Sequence, residues 1–153
     1  HSNGYSLIRY VVDQASVPLT EPLGNKTLGE VLLTPTRIYV PAILSLLTVI
    51  KVLGIAHITG GGLSENINRI LPPKLEAQID RSSWIQPQVF TWLEQMGNIP
   101  NNEMLSTFNC GIGLVLIIKK EDVTRTKQVV EAAGEKAFLI GEIVEGDRGV
   151  VIG

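Results

Sequence analysis

The chain has 153 residues, of which 44% are hydrophobic and 18% are charged, and its formal net charge is -2. This length is typical of one domain, which buries about 68 to 70% of its unfolded surface, and the composition excludes intrinsic disorder. A nucleic-acid-binding protein usually has an excess of basic residues, whereas this chain is almost neutral and has only 5% aromatic residues. We therefore expect a single globular domain with no nucleic-acid partner.

The cysteine content and the apolar stretches exclude further classes of protein. Its single cysteine, Cys110, excludes an internal disulfide and a cysteine-based zinc site, and it favours a cytoplasmic location. The longest apolar stretch, residues 40–50, is shorter than the roughly 18 to 20 residues that span a bilayer, so we expect no membrane association. The chain opens at His1 without a methionine or a signal peptide, which predicts a fragment of a longer protein.

Hydrophobic periodicity and turn residues predict helices and strands that do not alternate strictly. In chain order they predict a helix at Tyr5–Ala15, a loop at 16–27, a helix at 38–52, a strand at 54–59 and a helix at 63–71. A strand at 75–80, helices at 87–96 and 102–108, a strand at 113–119 and a helix at 121–133 follow. Strands at 137–144 and Gly149–Ile152 end the chain, paired across residues 145–148.

This order of elements predicts an α+β fold, a layered α/β/α sandwich around one mixed sheet that is partly ferredoxin-like. Pro41 fits poorly inside the helix at 38–52, because an interior proline removes a hydrogen bond and clashes with the preceding turn. The helix must therefore either kink there or begin later than Thr36.

The most informative segment is a strand that ends in three glycines directly before an amphipathic helix. Glycines allow positive φ and a close approach to a ligand, and the first amides of a helix favour phosphate or carboxylate. The alternative is a purely structural role, because a tight turn packed against a neighbour needs the same glycines. Neither the P-loop fingerprint nor the dinucleotide-binding fingerprint is present. The segment reads His57-Ile58-Thr59-Gly60-Gly61-Gly62-Leu63-Ser64-Glu65-Asn66-Ile67.

Several side chains invite two interpretations each. His1 and His57 would form a proton-handling pair if they met in space, but a histidine at a strand end is often a satisfied structural residue. Glu65 is either functional or a carboxylate that favours the helix dipole. Arg37 indicates a phosphate partner or an ion pair with Glu30. Cys110 is either a nucleophile or a small buried hydrophobe. The residues Trp84, Phe90 and Trp92 have the spacing of core positions.

Four sequence blocks carry a resemblance to a known family. The blocks are His1-Ser2-Asn3-Gly4-Tyr5-Ser6-Leu7, Leu33-Thr34-Pro35-Thr36-Arg37-Ile38-Tyr39, the glycine segment from His57 to Ile67, and Thr107-Phe108-Asn109-Cys110-Gly111. In this order and spacing they closely resemble the C-terminal domain of aminoimidazole ribonucleotide synthetase, or phosphoribosylformylglycinamidine cyclo-ligase. The resemblance covers essentially the whole chain, and its glycine pair after a strand recurs in selenophosphate synthetase and thiamine monophosphate kinase, a family distinct from the ATP-grasp enzymes.

The resemblance implies ATP-dependent ring closure of formylglycinamidine ribonucleotide to aminoimidazole ribonucleotide in purine biosynthesis. The same half-fold could instead serve a small-molecule kinase or a selenophosphate synthetase-like enzyme. The implied partners are the ribonucleotide, ATP with Mg²⁺, an N-terminal domain absent from this chain that supplies most ATP and magnesium contacts, and a second subunit. The implied catalytic residues are His1, His57 and Glu65, and the implied substrate- or phosphate-binding residues are Ser2, Asn3, Arg37, Thr59, Gly60, Gly61, Gly62, Asn66 and Asn109.

Overall fold

A computed structural model describes residues 1–153 as a mixture of seven α-helices and seven short strands. The helices are α1 (Tyr5–Ala15), α2 (Leu28–Leu32), α3 (Val40–Leu47), α4 (Gly62–Ile70), α5 (Gln88–Gly97), α6 (Asn101–Thr107) and α7 (Val123–Ala132). The strands are β1 (Pro22–Leu23), β2 (Lys26–Thr27), β3 (Gly54–His57), β4 (Leu75–Ile79), β5 (Leu114–Ile117), β6 (Gly141–Glu145) and β7 (Gly149–Ile152). None of the helices is both long enough and apolar enough to cross a bilayer.

The strands form three small sheets where one mixed sheet was expected. β1 pairs with β2, β3 pairs antiparallel with β5, and β4 is the central strand of a three-stranded mixed sheet. Helix α4 packs against both β3 and β7, so side chains rather than backbone hydrogen bonds join the two larger sheets. The mixture of helices and strands is confirmed, while the layered sandwich and its ferredoxin-like part stay predictions.

The predicted pairing of the last two strands is wrong, because β4 lies between them. Ala77 at the centre of β4 faces Ile143 of antiparallel β6 on one side and Val150 of parallel β7 on the other. This central strand buries Ala77 and Ile79. A direct hairpin of β6 and β7 would leave one edge of β4 without backbone partners, which is costly for a strand that faces the core.

Two local predictions are corrected near the N-terminus. The predicted loop at 16–27 contains the short hairpin β1–β2, and the unassigned residues after it form α2, which begins with a capping box between Thr27 and Glu30. Helix α3 begins at Val40 and ends at Leu47, so Pro41 lies in its first turn, where it removes no hydrogen bond. Arg37 therefore precedes the helix instead of lying in its first turn.

The core lies where α1, α4, α5 and α6 meet β3, β4 and β5. Trp84 is buried there and donates from its indole Nε1 to the carbonyl oxygen of Cys110 at 3.0 Å, while Phe90 and Trp92 pack against the same cluster. The core interpretation of these three aromatic residues is confirmed. The indole hydrogen bond also fixes the loop that leads into β5, which carries two residues of the site described next.

Candidate functional site

Three aromatic side chains from separate parts of the chain meet at the C-terminal end of β3. His57 is the last residue of that strand, His1 comes shortly before α1, and Tyr39 directly precedes α3. The ring centroids of His1 and His57 are 4.6 Å apart, and Tyr39 lies edge-on to His1 at 5.5 Å. The two histidines that the sequence left apart are therefore in direct contact.

Hydrogen bonds determine the protonation pattern of the His1 ring. Its Nδ1 lies 2.7 Å from the carbonyl oxygen of Ile58, which can only accept, so Nδ1 carries a proton. Its Nε2 lies 2.8 Å from the hydroxyl of Tyr39, which donates to it when the ring is neutral. His57, by contrast, is exposed and makes no side-chain hydrogen bond to another protein group.

The glycine turn presents the start of α4 without a side-chain cap. Gly61 and Gly62 adopt φ values of 92° and 61°, which favour glycine. The amide of Gly62 donates to the carbonyl oxygen of Thr59 at 3.1 Å and closes the turn. No side chain accepts from the first amides of α4, although Gly62 and Leu63 are themselves buried. This geometry suits an anion.

Asn66 and Glu65 support the glycine turn from within α4. Asn66 is buried, and its side-chain amide donates to the carbonyl oxygens of Gly60 at 3.2 Å and Gly62 at 2.8 Å. Glu65 forms an ion pair with Arg69 one turn later and lies against Gly61. Asn66 thus stabilises the glycine turn, and Glu65 forms part of the exposed face of the helix that begins there.

The first and last motif blocks are joined to the site by backbone and side-chain hydrogen bonds. Asn3 donates from its amide to the carbonyl oxygen of Thr107 at 2.8 Å, and the backbone amide of Ser2 donates to Oγ1 of Thr36 at 3.0 Å. Asn109 is buried and accepts from the amide of Gly111 at 3.0 Å. The four sequence blocks therefore converge on one region.

Arg37 is held by a partner that the sequence did not indicate. Its Nε lies 2.6 Å from a carboxylate oxygen of Glu135, and its terminal nitrogen donates to the carbonyl oxygen of Gly134 at 2.9 Å. The hydrogen bond and charge of Glu135 raise the pKa of Arg37. The alternative of an ion pair with Glu30 is wrong, because that carboxylate accepts from Thr27 in the capping box of α2.

A hollow of about 280 Å³ lies beside His1. Its polar lining comes from the first, second and fourth motif blocks, including His1, Asn3, Arg37, Tyr39 and Asn109. His57 and the three glycines do not line it, so the candidate residues divide into two groups. His1 lines the hollow and contacts His57, and Tyr39, which also lines the hollow, lies edge-on to His57 with ring centroids 6.0 Å apart.

Tyr39 and Gly113 are the residues of this site that sequence reasoning did not assign. Tyr39 is the last residue of the block Thr34-Pro35-Thr36-Arg37-Ile38-Tyr39, and only the tertiary structure shows that its half-buried hydroxyl contacts a histidine. Gly113 lies just before β5, where the carbonyl oxygen accepts from the amide of Ile58 at 2.9 Å. Both contacts join residues that are far apart in sequence.

Cys110 is fully buried, and we expect it to resist alkylation in the folded protein. Burial raises the pKa of the Cys110 thiol to about 11, so the thiol stays protonated at pH 8 and the reactive thiolate is suppressed. Iodoacetamide at pH 8, followed by mass spectrometry, should label Cys110 only after urea is added. Rapid labelling of the native chain would contradict the small buried hydrophobe interpretation.

The fold and the site define an α+β domain in which a strand, a glycine turn and a helix without a side-chain cap lie beside a pair of imidazoles. The family model described as AIR synthase related protein, C-terminal domain, matches residues 1–153. The chain belongs to this family.

Individual relatives agree with that assignment. A Nitrosococcus oceani protein named phosphoribosylformylglycinamidine cyclo-ligase is 49% identical over 144 residues, which are 94% of this chain and 40% of the relative. A Desulfitobacterium hafniense protein of the same name is 51% identical over 150 residues, which are 98% of this chain and 44% of the relative. The chain thus spans less than half the length of these curated relatives.

Among solved structures, HypE of E. coli has a similar fold. One HypE structure superimposes with a TM-score of 0.65 and covers 95% of this chain and 41% of HypE, at 19% sequence identity. A second, titled as a hydrogenase maturation protein, gives a TM-score of 0.61 at 23% identity and covers 82% of this chain and 39% of HypE. At this identity the likeness concerns the fold alone.

Proposed function

We propose that this chain is the C-terminal domain of an enzyme that closes the imidazole ring of aminoimidazole ribonucleotide from formylglycinamidine ribonucleotide, at the expense of ATP. The observation that carries the proposal is the contact of His1 and His57, 4.6 Å between ring centroids, at the start of the glycine turn. The names of the relatives from Nitrosococcus oceani and Desulfitobacterium hafniense support it.

The proposed reaction requires these residues to stabilise phosphate charge and to accept a proton. ATP phosphorylates the formamide oxygen of the substrate, and the amidine nitrogen of the same molecule then attacks that carbon and displaces phosphate. The amides at the start of α4, which no side chain caps, stabilise the charge on phosphate oxygens, with Thr59 and Gly60 to Gly62 surrounding them. An imidazole accepts the proton that the amidine nitrogen loses, and Glu65 contributes negative charge nearby.

The hollow beside His1 is the proposed seat of the ribonucleotide. Asn3 and Asn109 line it with polar groups, Ser2 is adjacent to Asn3 in sequence, and Arg37 supplies a cation for the substrate phosphate. The ion pair with Glu135 orients the guanidinium, whose side chain remains 58% exposed and keeps donors free for a ligand. Binding the ribose phosphate in this hollow, so that the formamide and amidine groups extend past His1 towards His57 and the glycine turn, is the main catalytic contribution that we propose for the domain.

ATP with Mg²⁺ fits this chain only in part. The glycine turn suits phosphate oxygens, but no group of three histidine, cysteine, aspartate or glutamate side chains is arranged to hold a metal ion. We therefore assign the magnesium contacts and most ATP contacts to the N-terminal domain of the complete polypeptide, and we derive no step through the metal from the residues of this chain.

An exposed apolar face suits that second domain. Ile38, Val40 and Leu44 are more than half exposed on α3 and the segment before it. A contiguous apolar face of this kind is typical of an interaction surface. Because the curated relatives are more than twice as long as this chain, we assign the face to contact with the N-terminal domain, within a cytoplasmic homodimer.

We expect the complete polypeptide, supplied with formylglycinamidine ribonucleotide, ATP and Mg²⁺, to form aminoimidazole ribonucleotide and ADP in equal amounts. The 153-residue chain alone should fold but show no turnover, since it holds only part of the site. Product formation is followed by a colorimetric assay of the aminoimidazole. If the complete polypeptide released ADP only with another acceptor, such as a small-molecule hydroxyl or selenide, the alternative of a kinase or selenophosphate synthetase-like enzyme would replace this proposal.

A further inference from the structure

His1 and three other residues form a closed ring of contacts. The carbonyl oxygen of Gly113 accepts from the amide of Ile58, and the carbonyl oxygen of Ile58 accepts from Nδ1 of His1. Nε2 of His1 meets the hydroxyl of Tyr39, and that hydroxyl lies directly over the α-carbon of Gly113. Because each contact fixes the next, the His1 ring has no freedom to turn without breaking the ring of contacts.

Gly113 is required by this arrangement for steric reasons. A β-carbon at this position would overlap the hydroxyl oxygen of Tyr39 and stand 2.6 Å from both Cε1 and Nε2 of His1. The absence of a side chain therefore creates the space in which the hydroxyl and the imidazole meet. A larger residue would force both side chains out of their present positions.

Tyr39 is suited to donate rather than to ionise. Its ring is partly buried, and burial raises the pKa of the Tyr39 hydroxyl, with a further contribution from Glu135 that Arg37 partly offsets. The hydroxyl therefore keeps its proton near neutral pH and supplies it to the lone pair on Nε2 of His1. A neutral His1 is thereby left with both ring nitrogens engaged.

We infer that Tyr39 and Gly113 are positioning residues that hold His1 as the neutral tautomer protonated on Nδ1, so that His57 is the imidazole that exchanges a proton with the substrate. His57 contacts the fixed ring at an interplanar angle of 55° and has both of its nitrogens free of protein partners. His1 orients His57 through that contact. The assignment of the proton step to a substrate rests on the proposed function, whereas the tautomer of His1 does not.

The first test is the ring-nitrogen NMR spectrum of the complete polypeptide labelled with ¹⁵N-histidine, assigned with H1N and H57N variants. We expect His1 to show a protonated Nδ1 and an unprotonated, hydrogen-bonded Nε2. In Y39F the His1 Nε2 resonance should shift while Nδ1 remains protonated. A wild-type His1 protonated on Nε2, or an even mixture of tautomers, would overturn the inference.

The second test is kinetic, with Y10F as the control because Tyr10 is an exposed tyrosine of α1. Y39F should lower kcat by about 10- to 100-fold with little change in KM, because a misplaced imidazole costs that much, and Y10F should not. G113A should shift the same His1 resonance. Loss of kcat in Y39F with unchanged His1 resonances would reduce Tyr39 to a structural role and overturn the inference. If the complete polypeptide lacked cyclo-ligase activity, the proposed function would fail, and the NMR outcome would still decide the role of Tyr39.

Discussion

Replacement of His57 by asparagine is expected to lower kcat of the complete polypeptide by at least about 100-fold, the usual contribution of a general acid or base. His57 has free ring nitrogens at the mouth of the glycine turn, and asparagine removes the basic nitrogen while preserving size. The matched variant is H1N, because an asparagine amide can still donate to the carbonyl oxygen of Ile58. We expect H1N to lose about 10- to 100-fold, at least as much as Y39F and less than H57N, as an orienting residue would.

Steady-state kinetics on both variants separate the two histidines. A larger loss in H1N than in H57N would exchange the two roles. Near-normal turnover in both variants would show that neither imidazole moves the proton.

Replacement of Gly62 by alanine is expected to destabilise the domain by about 3 kcal/mol or more, the combined effect of overpacking and of a left-handed backbone. Gly62 has a φ of 61°, and a β-carbon would overlap the carbonyl oxygen of Leu105 and stand 2.7 Å from its carbonyl carbon. That carbonyl belongs to α6, which packs against α4, so neither backbone can move without separating two helices.

The neighbouring Gly60 provides the control. A β-carbon there meets nothing within 4 Å, and its φ lies outside the range that favours glycine. Urea unfolding of the 153-residue chain should therefore show a stability change within about 0.5 kcal/mol for G60A, as is usual for surface substitutions away from special features. Equal effects of the two substitutions would mean that the close approach of α4 and α6 does not depend on Gly62.

Local sequence patterns were sufficient for several elements. The apolar spacing of α1 predicts its bounds correctly, and the run of glycines before α4 correctly locates the turn between a strand and a helix. Helix α2 was missed although its signal was readable, because Thr27 and Glu30 have the spacing of a capping box. The start of α3 was placed too early because Pro41 is tolerated in a first turn, which makes it a marker of where the helix begins.

Sequence patterns predicted only part of the candidate site. The sequence alone determined its chemical inventory: two histidines, a glycine turn that opens a helix, and the four blocks that resemble one family. The tertiary structure decided that His1 contacts His57, that Tyr39 and Gly113 complete the cluster, and that Arg37 pairs with Glu135 instead of Glu30. The physical reason is that helical and turn preferences act over a few residues, whereas these contacts and the central place of β4 depend on packing between segments that are distant along the chain.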